Sequence, residues 1–141
     1  MNIDQVIERV AGLQLDAGHY AIFGSGPLLV RGIITTVNDV DIIARGPAWQ
    51  TALGKGELVD LSEHGVSVVS IDDGAVTIGT MWAIGDVDVD NAIDSADHMR
   101  GLPWVRLELV AGYKQLAGRA KDVTHLGLLE AWLESRDQGS R

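Results

Sequence analysis

Asp39-Val40-Asp41 follows Gly24-Ser25, with residues 26–38 between them. The run from Asp39 to Ile43 has the alternation of a strand, so both carboxylates fall on one face while Val40 and Ile42 enter the other. Two hard oxygen ligands on a rigid strand suit Mg2+ or Mn2+. Mg2+ in particular takes a few carboxylates together with nucleotide phosphates rather than a closed cage of protein ligands. The chemistry these residues favour is metal-assisted chemistry on a phosphate.

The elements around them support that placement. Tyr20-Ala-Ile-Phe23 reads as a short strand that stops at Gly24-Ser25-Gly26, and Pro27 is pre-set for the first turn of a helix over 27–34 that ends at Gly32. The N-terminal amides of that helix would face whatever lies above Gly24 and Ser25, and such amides attract phosphate. Ser25 would orient a phosphate rather than attack it, because no His or Lys adjacent in sequence marks it as an activated nucleophile. A glycine turn alone is often only a tight turn, and Asp-Val-Asp alone is often an exposed edge. Their order gives the pair its meaning.

In Ile22-Phe23-Gly24-Ser25 and Asp39-Val40-Asp41-Ile42 the chain resembles the nucleotidyltransferase fold superfamily, which includes polymerase beta-like enzymes, antibiotic nucleotidyltransferases and toxins of the AbiEii type. Tyr113-Lys114, Arg119, Lys121-Asp122 and Leu126 to Leu129 are similar to the ending of small bacterial members, where a lysine-bearing helix leads to an Arg-x-Lys-Asp turn and a last helix. The resemblance implies an α/β (α+β) fold, a nucleotidyltransferase-like mixed sheet with flanking helices and two C-terminal helices. It implies an enzyme that transfers a nucleoside monophosphate from a nucleoside triphosphate, such as ATP, to a hydroxyl with release of pyrophosphate. Asp39 and Asp41 would hold the metals, Gly24 and Ser25 the phosphates, and a third carboxylate would help activate the acceptor. Two metals can stabilise both the attacking and the leaving oxygen of an in-line displacement.

The third acid is open. Asp86-Val87-Asp88-Val89-Asp90 has period two, which as a strand puts all three acids on one side, and Asp88 or Asp86 leads on that ground. Asp72 competes, although Asp72-Asp73-Gly74 reads better as a hairpin turn. Related members carry an Arg shortly before the first acid. Here Thr35-Thr36-Val37-Asn38 stands there, and Arg31 is the nearest upstream base. Lys114, Arg119 and Lys121 concentrate positive charge and become the expected phosphate contacts, set against the plainer reading of a solvated helix face.

Composition frames the rest. A chain of 141 residues with 46% apolar content is long enough for one domain with a real core, taken as residues 1–136 with a disordered tail over 137–141. The absence of cysteine excludes disulfides, thiol catalysis and cysteine-rich zinc sites, and makes the cytoplasm the natural location. No apolar run approaches membrane-spanning length, and the N-terminal helix over 2–13 is amphipathic rather than a signal segment. A formal charge of −9 argues against a protein that coats nucleic acid, while leaving room for a nucleotide or one RNA end. His19, His64 and His98 are too scattered for a metal cluster, His125, three residues after Asp122, could approach the active site, and Trp49, Trp82 and Trp104 read as packing residues or pocket lids.

The remaining elements read as strands at 19–23, 38–44, 57–61, 66–71 and 75–79, with a short helix at 47–53. A further strand is expected at 83–89 and a helix at 91–100. After a break at Gly101-Leu102-Pro103 come a helix from Val105 to Leu116 and a last helix whose Val123, Leu126, Leu129 and Leu133 form an apolar stripe. Two further function classes fit the same residues: a non-catalytic nucleotide-binding or toxin–antitoxin partner protein with a degenerate fold, and a purely structural domain. Within the enzyme reading the acceptor is a tRNA end, a protein hydroxyl or a small molecule such as an aminoglycoside. The short chain points to a second copy or protein partner that completes the acceptor pocket.

Overall fold

The computed structural model describes residues 1–61, 66–81 and 88–139. Helix α1 (Ile3–Leu13) opens the chain, its start fixed by a reciprocal capping box between Asn2 and Gln5 and its inner face by buried Val6, Val10 and Leu13. Next come β1 (Tyr20–Phe23), the short helix α2 (Gly26–Val30), β2 (Val40–Ala44), α3 (Gly46–Leu53), β3 (Glu57–Leu61), β4 (Val66–Ile71) and β5 (Val76–Gly79). The chain closes with α4 (Val89–Asp94), β6 (Asp97–Met99), β7 (Leu102–Trp104), α5 (Leu107–Ala117) and α6 (Ala120–Gly139). The strands form one mixed sheet in the order β3-β4-β5-β2-β1-β7-β6.

Strand β1 is buried at every position because it is central and covered on both faces. It runs antiparallel to β2, with Phe23 opposite Asp41, and β2 runs parallel to β5, with Asp41 opposite Thr77. Asp72 and Asp73 adopt left-handed backbone and, with Gly74, turn β4 into β5, as the sequence predicts. Ile22, Ile42, Ile43, Ile78 and Trp104 are among the fully buried side chains of the core. No helix among the described residues is long and apolar enough to cross a membrane.

The structure departs from expectation in the second half. The helix expected over 91–100 ends at Asp94, and β6 and β7 form a hairpin around Arg100 and Gly101, both in left-handed conformation. Successive positive φ angles are what a tight two-residue hairpin needs. The strand expected over 83–89 does not reach Asp88 and Val89: Asp88 caps α4 by accepting a hydrogen bond from the Asn91 amide at 3.0 Å, and Val89 is helical. Asp86, Trp82 and the remainder of that stretch, like His64, lie outside the described residues. Helix α6 continues through Gly139, past the boundary of 136 read from the sequence. Of its expected apolar stripe only Leu129 is buried, while Val123 and Leu133 are exposed, since the long α6 packs on the much shorter α5.

Candidate phosphate and metal site

The sheet register joins the two sequence motifs. Because Phe23 pairs with Asp41, the turn leaving β1 lands beside the acids entering β2. Gly24 sits there at φ +64°, and a Cβ on it would stand 2.7 Å from Asp41 Oδ2. Glycine is required twice, for the left-handed backbone and for the close approach of the carboxylate. Gly24→Ala is therefore expected to destabilise the protein by about 1–2 kcal/mol and to displace the Asp41 carboxylate. Urea unfolding together with Mn2+ titration checks both effects, and an alanine variant with unaltered metal affinity would refute the close packing.

Asp41 shares the sheet face of Phe23, whose ring meets Tyr113 of α5 edge-on at 4.8 Å. Burial, reinforced by the neighbouring charge of Asp39, pushes the Asp41 carboxyl up to about 6 against the pull of Lys121, Arg119 and Lys114. Among the described residues neither Asp39 nor Asp41 has a side-chain hydrogen bond or ion pair. Two uncommitted carboxylates that repel one another fit a divalent cation, which would relieve repulsion and burial together. A set of two suits Mg2+, which draws its remaining oxygens from phosphate and water.

Beneath the turn lies a buried polar network that joins α5 and α6 to β1. Lys114 Nζ donates to Ser25 Oγ at 3.1 Å and to Asp122 Oδ1 at 3.3 Å, and stands 3.3 Å from His125 Nδ1. Ser25 Oγ and His125 Nδ1 are 3.2 Å apart. Arg119 closes the other side of Asp122 through Nε at 2.7 Å and its own amide at 3.2 Å. Lys114 is 1% and Asp122 0% exposed. Burial works to raise the Asp122 pKa but is outweighed by Arg119 and Lys114, and the carboxyl ends below its ordinary value.

The three basic residues expected to contact phosphate are placed differently. Lys114 and Arg119 are bound to Asp122, whereas Lys121 is exposed and lines the adjoining cleft of about 230 Å³ with Ser25, Asn38, Asp39 and His125. Arg31 is bonded to Asp97 at 2.6 Å and to the Pro27 carbonyl at 2.8 Å, so its guanidinium is already engaged. The amide array at α2 is also shorter than expected, because Pro27 has no N–H and the Leu28 and Leu29 amides both donate to the Ser25 carbonyl.

Among the described residues, the other acids expected as a third carboxylate are engaged elsewhere, and Asp86 lies outside the described residues. Asp90 and Asp94 of α4 bind Arg45, which follows the end of β2 remote from Asp41, and Asp88 belongs with them. Four residue steps along the strand separate Asp41 from Arg45, roughly 13 Å. Asp72 pairs with Arg9 of α1 at 2.8 Å. Opposite Asp41 on the neighbouring β5 stands Thr77, a hydroxyl on the same face. Among the described residues no three His, Cys, Asp or Glu side chains group as metal ligands.

Sequence reasoning missed two of these residues. Asp122 was read only as part of a turn, though an acid eight residues after Lys114 was visible; Thr77 carried no signal. His125, three residues beyond Asp122, was expected to approach the site, without a role that the sequence could assign. No family model, curated protein or solved structure matches the chain.

Proposed function

We propose that the chain binds a nucleoside triphosphate through a divalent metal on Asp39 and Asp41 and transfers its nucleoside monophosphate to a hydroxyl acceptor, releasing pyrophosphate. The observation that carries this reading is the meeting of three separate segments in one cleft. Gly24-Ser25 and the uncommitted Asp39–Asp41 pair are joined by β-register, and Lys121 is supplied by the C-terminal α6. Metal bound at the pair would supply charge neutralisation for the triphosphate. Gly24 gives the carboxylate its close approach, and Lys121 places a positive charge on the cleft wall. The cleft is at the small end of ligand sites, in keeping with an acceptor pocket completed by a second copy or a partner.

The direct test is isothermal titration of the four nucleoside triphosphates with and without Mg2+ or Mn2+, followed by a search for acceptors. Metal-dependent binding is expected, and a chain that binds none of the four under either condition would remove the reading.

A second reading, a binding-only or toxin–antitoxin partner protein, is favoured by one feature. The position beside Asp41 on β5 holds Thr77 instead of an acid, and Asp88 is occupied as a helix cap. Thr77→Asp adds a third carboxylate on that face and is expected to tighten Mn2+ about tenfold, since ligand charge count tunes affinity. Mn2+ relaxation titration measures it; unchanged affinity would mean that position 77 does not face the metal.

A further inference from the structure

We infer that His125 presents its Nε2–H to the cleft as the hydrogen-bond donor for a phosphate oxygen, while the Ser25 hydroxyl is turned inward and donates to His125. This rests on the phosphate-site reading above and assigns a residue that neither the glycine turn nor the acidic pair indicates.

The proton positions follow from the donors present. A lysine ammonium has three donors and no acceptor. The Lys114 ammonium donates to Ser25 Oγ and to the Asp122 carboxylate, and its contact with His125 Nδ1 at 3.3 Å requires that nitrogen to be bare. Ser25 Oγ, accepting from Lys114, has a single proton left, and His125 Nδ1 at 3.2 Å is the acceptor in reach. Both neighbours therefore demand a free lone pair on Nδ1. Burial, with the charges of Lys114 and Lys121, holds the imidazole below its ordinary pKa against the opposing pull of Asp122, so the ring is neutral at pH 7. A neutral ring with a bare Nδ1 carries its proton on Nε2.

Nε2 has no hydrogen-bond partner among the described residues, and the ring lines the cleft beside Lys121 and Asp39. A group that offers N–H beside an exposed ammonium is complementary to an anionic oxygen. It is not a base, because its cleft-side nitrogen already holds a proton. Ser25, the expected phosphate donor, uses its proton to fix this tautomer and acts as a positioning residue. Asp122 and Arg119 act one step further back by holding Lys114.

The test uses 15N-labelled imidazole spectra of the whole chain titrated with sodium tripolyphosphate, alongside two variants. Asn at position 125 keeps an acceptor near the Nδ1 position and lacks the Nε2 donor; Gln does the reverse. The neutral Nε2–H tautomer is expected in the free protein, and its Nε2 resonance should move saturably with tripolyphosphate. His125→Asn should weaken tripolyphosphate about tenfold with its unfolding curve preserved, while His125→Gln should stay within about threefold, as expected for one hydrogen bond to a charged group. An Nδ1–H tautomer, an unmoved Nε2 resonance, absence of tripolyphosphate binding, or a folded His125→Asn protein of unchanged affinity would each overturn the inference. The nucleotide reading fails separately: tripolyphosphate that binds at His125 in a chain showing no metal-dependent nucleotide binding would leave a polyphosphate site without the transferase.

Discussion

Replacing Asp41 by Asn is expected to abolish Mg2+-dependent nucleotide binding and, in the same protein, to raise resistance to urea. The two effects share one cause. Asp41 is held beside Gly24 and near Asp39 with no hydrogen bond or ion pair among the described residues, so in the metal-free protein its charge is a net cost. A carboxyl moved from an ordinary value near 4 to about 6 corresponds to on the order of 3 kcal/mol of folding free energy. Asn keeps the shape and removes the charge. Asp39→Asn should cost the same metal-dependent binding, by about a hundredfold or more for a metal ligand, with a smaller change in stability because Asp39 is exposed. A site whose ligands stabilise the fold would show the opposite pairing, with lost function and lost stability together.

The pH dependence carries the sign of the same cost. Between about pH 4 and pH 6 the folded protein keeps a proton on Asp41 that the unfolded chain has released. Stability therefore falls as pH rises through this interval, and Asp41→Asn removes that fall. The variant and the parent should unfold alike near pH 4 and diverge toward pH 7, the variant being the more stable. Mg2+ competes with the same proton, so metal affinity should weaken as pH drops below about 6, by up to about tenfold per unit. Parallel stability curves for the two proteins would contradict the assignment of the cost to Asp41.

The meeting of the glycine turn with Asp39 and Asp41 was legible in the sequence because the chain brings them together over a short span: one glycine turn, one short helix and two neighbouring strands with Phe23 opposite Asp41. The described part of the Asp86–Asp90 run, from Asp88 on, departs from a strand for a definable reason. Alternating Asp and Val satisfies strand periodicity, yet Asp88 with Asn91 three residues later is also a helix start, and Ala92 and Ile93 bury the side of α4 that decides between them. The β6–β7 hairpin escaped notice because each strand is three residues long, too short for alternation to register. Lys114 was recognisable as a residue of interest but not as a buried one. Its partners come from distant parts of the chain, Ser25 from the start of α2 and Asp122 and His125 from α6, and only the packing of α5 against α2 and α6 makes them neighbours.

Asp122→Asn is expected to destabilise the protein by about 3 kcal/mol or more, the usual cost of leaving one member of a buried ion pair uncompensated. Lys114, at 1% exposure, would remain inside with one carboxylate fewer, and Arg119 would lose the acceptor that ties the start of α6 to its own turn. Adding Lys114→Met to the same chain should recover a large part of the loss, because the buried charge then disappears with its partner and an apolar chain of similar length fills the space. Urea unfolding of the two single variants and the double variant gives the coupling directly. The sign of the pH effect is opposite to that of Asp41: the Asp122 carboxyl is depressed, so its contribution is present above the unfolded value near 4 and is lost as pH falls toward the folded value. Lys114→Ala separates a structural lysine from a phosphate contact. If Lys114 mainly touched nucleotide, its removal would raise the nucleotide concentration required and leave unfolding unchanged. Bonded to Asp122, Ser25 and His125 as it is, its removal should first lower stability and release the imidazole tautomer, and only through those changes weaken the cleft.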